Sequence, residues 1–263
     1  MAVMSVADLH VRLSGREILK GISLPEMRAG QMVGLIGPNA SGKSTLLRAI
    51  AMGNGTQGGI SLGGKPVTAM KRAERAANIS LMPQTPPLGS TLTPFELLRS
   101  YARATNLGLS NAQLGDRMGE LLGKLGLLPD AHRKLNELSG GKRQLVGMCL
   151  AMVNEPKYLL LDEPTSALDL RWQLTALSVA RNYARSREAI CVAALHDINL
   201  ALRFCDLLVV LKDGCVAASG VPEEVIDSAL LADVYGVSAR LERCSQGAPV
   251  LIADAANEIG ASA

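Results

Sequence analysis

The sequence has few aromatic residues and no long apolar run. Aromatic side chains make up 3% of the chain, so the core must be built from aliphatic residues, and stacking platforms for single-stranded nucleic acid are not expected. The best apolar candidate, residues 145–153, falls short of the roughly 18–20 residues that a transmembrane helix needs. The sequence therefore predicts a chain that does not itself cross a bilayer.

An excess of one charge is also lacking. The formal net charge is +3, and Lys and Arg are spread evenly, which argues against a DNA-binding surface, so no nucleic acid partner is expected. The first ten residues have neither the basic region nor the apolar run of a secretory signal, and we expect a cytoplasmic protein.

The cysteines lack any paired CxxC spacing, and their number is odd. Most of them lie within apolar segments, which favours reduced core residues over disulfides or a metal site. The residues concerned are Cys149, Cys191, Cys205, Cys215 and Cys244.

What the sequence does contain is typical of a packed α/β protein, with 48% hydrophobic and 19% charged residues. Fully apolar runs separated by helical segments predict a parallel sheet that is covered on both faces. The predicted parallel strands are residues 31–36, 158–161, 190–195 and 207–211, with helices at 167–186 and 199–204. Further predictions are an antiparallel pair (5–13 and 18–24) joined by a turn at 14–16, short strands (59–62 and 79–82), a helical insertion (94–153), two short helices (222–235) and a loose tail (255–263).

A glycine loop follows the first predicted parallel strand and precedes a helix. It fits the pattern G-x-x-x-x-G-K-[ST], in which glycines let backbone N–H groups surround phosphate, the lysine neutralises its charge and the hydroxyl serves Mg²⁺. The alternative is a structural glycine turn, but a helix N-terminus favours an anion here. The predicted ATP-binding residues are Gly37, Pro38, Asn39, Ala40, Ser41, Gly42, Lys43, Ser44 and Thr45.

Two acidic residues follow the predicted strand at 158–161. Asp162 is expected to hold Mg²⁺ together with Ser44, and Glu163 to polarise the water that attacks the γ-phosphate. Taken alone, the pair could equally be two solvated carboxylates at a strand end. Its occurrence after a phosphate-binding loop in the same chain favours the catalytic interpretation.

The segment Leu-Ser-Gly-Gly-Lys-Arg-Gln at residues 138–144 resembles the signature of ABC ATPases, and the resemblance extends over nearly the whole chain. It implies a P-loop NTPase of ABC type, in which a RecA-like parallel core carries an antiparallel β subdomain and a helical subdomain at about residues 85–155. The ATPase domain is expected to span residues 1–240, with a C-terminal extension at 241–263. In this family Ser139, Gly140 and Gly141 serve the ATP of the opposite subunit, which implies a homodimer.

The same resemblance gives roles to three further residues. Gln84 is similar to the Q-loop glutamine, which touches the metal and takes part in catalysis, and His196 to the switch histidine, which contacts the γ-phosphate. Asp169 is similar to the D-loop aspartate that reaches across the dimer. A lone histidine or glutamine is more often structural, so these roles depend on their order relative to Lys43, Ser139 and Glu163.

The chain departs from the family pattern at two positions. Lys142 stands where the signature usually has glutamine, which is expected to alter contacts near the ribose or across the dimer. Leu13 stands where an aromatic residue normally stacks on adenine, and it offers apolar contact without a π-face. Base selectivity is therefore expected to be weak.

Three segments, residues 196–206, 220–225 and 234–237, are similar to ATPases of importers for ferric siderophores, haem and cobalamin. This resemblance implies a polytopic membrane permease as partner, a periplasmic or lipid-anchored substrate-binding protein acting through it, and a peripheral location on the cytoplasmic face of the inner membrane. A transporter for another cargo and a soluble ABC ATPase in a non-transport process remain open. The signature argues against a P-loop kinase or GTPase.

Overall fold

A computed structural model describes residues 1–53, 56–85, 91–105 and 109–257. Its strands are β1 (Val3–Leu13), β2 (Arg16–Arg28), β3 (Met32–Ile36), β4 (Thr56–Leu62), β5 (Lys65–Pro66), β6 (Ile79–Met82), β7 (Tyr158–Asp162), β8 (Ile190–Ala194), β9 (Leu207–Lys212), β10 (Cys215–Gly220), β11 (Val237–Arg243) and β12 (Pro249–Ala256). Its helices are α1 (Lys43–Met52), α2 (Arg72–Asn78), α3 (Pro94–Ala104), α4 (Asn111–Lys124), α5 (Gly140–Met152), α6 (Leu170–Ser186), α7 (Ile198–Phe204), α8 (Pro222–Val225) and α9 (Ser228–Tyr235). Short 3₁₀ turns lie at Val67–Ala69, Leu128–Asp130 and Leu135–Glu137.

The central sheet has the strand order β10-β9-β3-β8-β7-β6 within the described residues. The strands β9, β3, β8, β7 and β6 each run parallel to their neighbours in this order. The edge strand β10 pairs antiparallel with β9. Every residue of β3, β7 and β8 is buried, because helices or the second sheet cover both faces. The predicted parallel sheet is confirmed.

Alternate residues of the central strands enter two separate cores. Leu159 and Leu161 pack with α5, α6 and the helical segment, whereas Leu160 packs with α1 and the antiparallel sheet. That second sheet has the order β2-β1-β4-β5. Its β1–β2 connection is the predicted turn: Ser14 and Gly15 both have positive φ, as a two-residue hairpin loop of this twist requires.

The predicted helical insertion is confirmed as α3, α4 and α5. Both α3 and α4 begin with a capping box, in which Thr93 and Ser110 accept from the amides of Glu96 and Gln113. The apolar face of α4 is buried against the core and consists of Leu114, Met118, Leu121 and Leu122. Within the predicted helical subdomain, residues 86–90 and 106–108 lie outside the described residues, as do residues 54–55 of the glycine-rich stretch before β4.

The C-terminal region corrects one prediction and confirms another. The two short helices expected at residues 222–235 are α8 and α9. The loose tail expected from residue 255 is wrong for its first residues, because Ala255 and Ala256 complete β12 and pair with β11. Asn199 on α7 fastens this hairpin by bonding both the N–H and the carbonyl of Leu251. Residues 258–263 of the predicted tail lie outside the described residues.

The cysteine prediction is correct for only part of the set. Cys149, Cys191 and Cys205 are free and buried, as expected of core residues. Cys215 and Cys244 are free but exposed, which contradicts a core position. Cys215 lies on the edge strand β10, where alternate residues face solvent, and Cys244 lies in the turn between β11 and β12.

Candidate active site

The glycine loop between β3 and α1 has a backbone that side chains would not tolerate at two positions. Gly37 has φ +145°, and a Cβ there would lie 2.1 Å from the carbonyl oxygen of Leu211. Gly42 has φ +108°, and a Cβ there would lie 2.6 Å from Leu19 Cδ2. Gly42 is also the N-cap of α1 and offers no side-chain acceptor to the first-turn amides. The loop thus presents backbone N–H groups at a helix N-terminus, which suits an anion.

Lys43 lies beneath this loop and is 5% exposed. Its Nζ donates to the carbonyl oxygens of Gly37 at 2.7 Å and Pro38 at 2.9 Å. Burial lowers the pKa of the Lys43 ammonium, and the nearby Glu163 and Asp162 partly oppose that shift. The Oγ of Ser41 is buried in the same loop and has no hydrogen-bond partner among the described residues. A buried cation and an unpaired hydroxyl are the groups that a phosphate would satisfy.

Ser44 and Asp162 meet at the carboxyl end of β7. Ser44 Oγ donates to Asp162 Oδ1 at 2.8 Å, and Asp162 is 1% exposed. Burial raises the pKa of the Asp162 carboxyl, while the Ser44 hydrogen bond lowers it. Two adjoining hard oxygen ligands, one of them a buried carboxylate, fit a hydrated Mg²⁺ ion. These two predicted metal ligands are brought together.

Glu163 contacts both other predicted catalytic residues. Its Oε1 lies 2.6 Å from His196 Nε2, and its Oε2 accepts from Gln84 Nε2 at 2.8 Å. Gln84 follows β6 and His196 follows β8, so the side chains converge because the carboxyl ends of neighbouring parallel strands share one edge of the sheet. Gln84, which was also predicted to touch the metal, contacts the carboxylate of Glu163 here. Residues 86–87, which continue the predicted Q-loop, lie outside the described residues.

A cleft of about 420 Å³ is lined by the phosphate-binding loop together with Gln84 and Glu163. Leu13 and Ile18 form its apolar flank, and Leu13 is 52% exposed. The other lining residues come from the phosphate-binding loop, the first turn of α1 and the two catalytic positions after β6 and β7. They are Asn39, Ala40, Ser41, Gly42, Lys43, Ser44, Thr45, Gln84 and Glu163. The side chain predicted to lie beside the base therefore borders the phosphate-binding loop.

The predicted signature residues line a different cleft, of about 440 Å³. Ser139 is the N-cap of α5 and accepts from Lys142 N–H at 3.3 Å, and Gly140 and Gly141 lie beside it. Asp169 borders the same cleft and caps α6 by accepting from Trp172 N–H. Within the described part of the chain the two clefts share no lining residue, and Ser139 and Lys43 line different cavities.

The unusual Lys142 has a partner that the sequence did not indicate. Its Nζ lies 2.7 Å from Asp130 Oδ2, and Arg133 contacts the other oxygen of this buried carboxylate at 3.2 Å. Gln144 was also missed as a functional candidate, although it is a buried polar residue in a helix that is otherwise apolar at this depth. Burial depends on the tertiary structure, so the sequence offered no signal for this residue beyond its place at the end of the signature segment.

Known proteins are similar to this chain in both sequence and fold. The family model described as ABC transporter matches residues 19–166. The hemin import ATP-binding protein HmuV of Gloeobacter violaceus is 35% identical over 259 residues, covering 95% of this chain and 94% of that protein. The cobalamin import ATP-binding protein BtuD of Halobacterium salinarum is 36% identical, covering 85% of this chain and 56% of that protein.

Solved structures share the fold. A dimeric post-hydrolysis state of the ATP-binding cassette MJ0796, bound to ADP and Pi, superposes with a TM-score of 0.75 at 26% identity, covering 83% of this chain and 98% of that one. CbiO1 from Clostridium perfringens, part of the transporter complex cbiONQ, superposes with a TM-score of 0.71 at 26% identity, covering 84% and 89%.

Proposed function

The chain belongs to the ABC transporter family of ATPases, and we propose that it is the ATP-hydrolysing subunit of an importer that works as a homodimer on a separate permease. The observation that supports the site most directly is the contact of Glu163 with both Gln84 and His196 beside the phosphate-binding loop. Each of these residues comes from a different strand end, and their convergence gives one carboxylate two polar neighbours in a cleft.

The loop residues and Lys43 would hold the phosphates of ATP. The loop amides and the α1 N-terminus bind phosphate oxygens, and Lys43 turns its ammonium from the carbonyls of Gly37 and Pro38 toward the β- and γ-phosphates. Ser44 and Asp162 would hold Mg²⁺, with Gln84 at its edge. Bound Mg²⁺ would supply positive charge that neutralises the phosphate oxygens.

Glu163 would accept the proton of the attacking water. Its carboxylate is only partly exposed and is oriented by Gln84 on one oxygen and His196 on the other. Water then attacks the γ-phosphorus, the bond to the β,γ-bridging oxygen breaks, and the water proton goes to Glu163. His196, 2.6 Å from Glu163, would contact the γ-phosphate of the bound nucleotide, as its resemblance to the switch histidine implies.

A second copy of the chain would complete each site. Ser139, Gly140 and Gly141 offer the N-terminus of α5 to an anion, but they line a cleft that lacks Lys43. A head-to-tail pair places the signature cleft of one copy over the phosphate loop of the other, with Asp169 at the junction. Lys142 also lines the signature cleft, so its ammonium group would lie near the nucleotide bound by the partner. Asp130 partly neutralises the positive charge of Lys142.

The proposed cargo is a metal chelate of the haem, cobalamin or ferric siderophore class. This assignment is supported by the relatives named for hemin and cobalamin import. Among the described residues no helix combines the length and apolar character needed to cross a membrane, so translocation is assigned to a polytopic permease. We propose that the chain binds this permease at the cytoplasmic face of the inner membrane, and that a periplasmic or lipid-anchored substrate-binding protein delivers the cargo.

A groove around Gln84 to Arg103 is expected to receive a short cytoplasmic helix of the permease, because the Q-loop connects that surface to the metal site. The outer face of α3 supports this prediction, since Glu96, Arg99, Ser100 and Arg103 line a shallow surface cavity of about 380 Å³. A photo-crosslinking residue at Ser100 should capture the permease in membranes that contain both proteins. The same residue at Ser219, exposed on β10, is the matched control and should capture none.

Crosslinks that form from the β11–β12 hairpin but not from Ser100 would contradict the groove assignment. A chain that never copurifies with a membrane protein encoded beside it would contradict transport itself and favour a soluble ABC ATPase. Residues 86–90 of the groove lie outside the described residues, and the experiment does not depend on them.

Discrimination between ATP and GTP is expected to be weak, with dissociation constants within about threefold of each other. Leu13 and Ile18 give the base apolar contact but no aromatic ring, and they contain no side-chain group that reads its polar edge. Leu13→Tyr should tighten ATP binding by about two- to tenfold, because aromatic stacking contributes about 0.5–1.5 kcal/mol. Competition titrations measure both effects, and Val221→Tyr is the exposed control. A strong preference of the parent chain for ATP would contradict the prediction.

A further inference from the structure

A buried amide in the signature helix holds the loop that carries Glu163. Gln144 lies in the second turn of α5 and is 2% exposed. Its Nε2 donates to the carbonyl oxygen of Glu163 at 2.5 Å and to Ser166 Oγ at 3.1 Å, and its Oε1 accepts from Ala167 N–H at 2.8 Å. Both polar atoms of the amide are used, and these three partners all lie in residues 163–167.

This loop connects the two clefts. Glu163 lines the cleft of the phosphate loop, and Ala167 lines the cleft of the signature. Glu163 has φ +53°, a conformation that a non-glycine residue keeps only when its surroundings hold it. Its carbonyl accepts from Ser166 within the loop, and Gln144 adds a bond from outside. Gln144 therefore holds the backbone of Glu163 from outside the loop.

The start of α5 is also in close backbone contact with the loop. A Cβ at Gly141 would lie 2.8 Å from the carbonyl oxygen of Ala167, so glycine is needed for this approach. Gly141 itself lines the signature cleft. The side-chain amide of Gln144 is bonded to both ends of the loop at residues 163–167. A displacement of α5 when the signature cleft closes on a phosphate would consequently shift this loop.

We propose that Gln144 is a positioning residue for Glu163, through which the signature helix sets the backbone of the residue that activates water. The inference rests on the proposed hydrolytic site. The inference extends that site in one respect. Hydrolysis of the ATP at the phosphate loop of one copy would depend on α5 of the same copy, whose N-terminus faces the second ATP of the pair. Gln144 is not among the described residues that line either cleft, so its loss should change the catalytic step and leave the first cleft able to bind.

The test is Gln144→Glu, which keeps the shape of the side chain and removes the N–H donor. An ionised carboxylate would face the carbonyl oxygen of Glu163 without a proton, and kcat should fall by about 10- to 100-fold at pH 8 while KM for ATP stays within about twofold. Protonation restores one donor and one acceptor on the same atoms, and burial raises the pKa of such a carboxyl into the accessible range. Activity relative to the parent should therefore recover as the pH falls toward 6.

The other titratable groups on α5 are Lys142, Arg143 and Cys149. On the loop side they are Asp162, Glu163 and Asp169, and His196 pairs with Glu163. Each variant is consequently compared with the parent at the same pH. Gln144→Met removes all three hydrogen bonds at similar volume, and its kcat loss should not recover with pH. Gln113→Glu is the matched control: among the described residues the Gln113 side chain only accepts, from Ser110 N–H, so a carboxylate keeps the bond and kcat should stay within about twofold.

Folding is checked by circular dichroism at each pH. A parental kcat in Gln144→Met, a change confined to KM, or a loss that follows the unfolded fraction would each overturn the proposal. Failure of both variants to fold would give Gln144 a structural role and would overturn it as well. If the parent itself hydrolyses no ATP, the proposed hydrolytic site fails. If the parent is active and the variants equal it, only the positioning role fails.

Discussion

Glu163→Gln should reduce steady-state ATP hydrolysis by about 10²–10⁴-fold, the usual contribution of a general base, while ATP binding persists. The substitution removes the group that accepts the water proton but keeps a side chain of the same shape between Gln84 and His196. The phosphate loop, Lys43 and Asp162 are untouched. Both ATP molecules should then stay bound between two copies, because the pair has no hydrolytic route to reopening.

Phosphate release measures the loss, and size-exclusion chromatography with ATP and Mg²⁺ measures the trapped state. We expect a stable dimer for Glu163→Gln and mostly monomer for the parent without its permease. Glu188→Gln is the control, since Glu188 is exposed and precedes β8 at the opposite end of the sheet. Hydrolysis at the parental rate would remove Glu163 from the catalytic role, and a variant that never dimerises would contradict the shared-site mechanism.

Lys43→Ala should weaken ATP binding by about 100-fold or more. Charge-assisted hydrogen bonds contribute about 1.5–3 kcal/mol each, and Lys43 is the buried cation nearest the loop amides. The substitution also removes the Lys43 hydrogen bonds to the carbonyls of Gly37 and Pro38, of which Pro38 keeps a bond from Ser41 N–H, so part of the loss reflects a loosened loop. Lys43→Met keeps more of the side-chain volume and should lose nearly as much affinity.

Titration with a fluorescent ATP analogue, on protein shown to be folded, gives the dissociation constants. Lys157→Ala is the control, because Lys157 is exposed and precedes β7, at the end of the sheet away from the loop. Tight binding retained by both Lys43 variants would mean that the phosphate-binding cation lies elsewhere and that the loop has been misassigned.

Several elements could be predicted because their signal is local. The loop at residues 37–44 is contiguous, so its glycines, lysine and hydroxyl could be interpreted without knowing the fold. The buried strands could also be predicted from local sequence, since a strand covered on both faces is apolar throughout. The hairpin β11–β12 lacked such a signal: part of its support is the amide of Asn199, which lies 52 positions before Leu251 in the chain.

Residue types and their order were enough to predict the available chemistry: a phosphate-binding loop, two acidic residues after a buried strand and a signature that resembles ABC ATPases. The roles of Gln84 and His196 came from that resemblance, and only the strand order β8-β7-β6 brings both side chains to Glu163. The partners of Lys142 and Gln144 were likewise decided by the tertiary structure. Burial and hydrogen-bond geometry depend on how distant segments pack, and residue type alone does not specify which groups will meet.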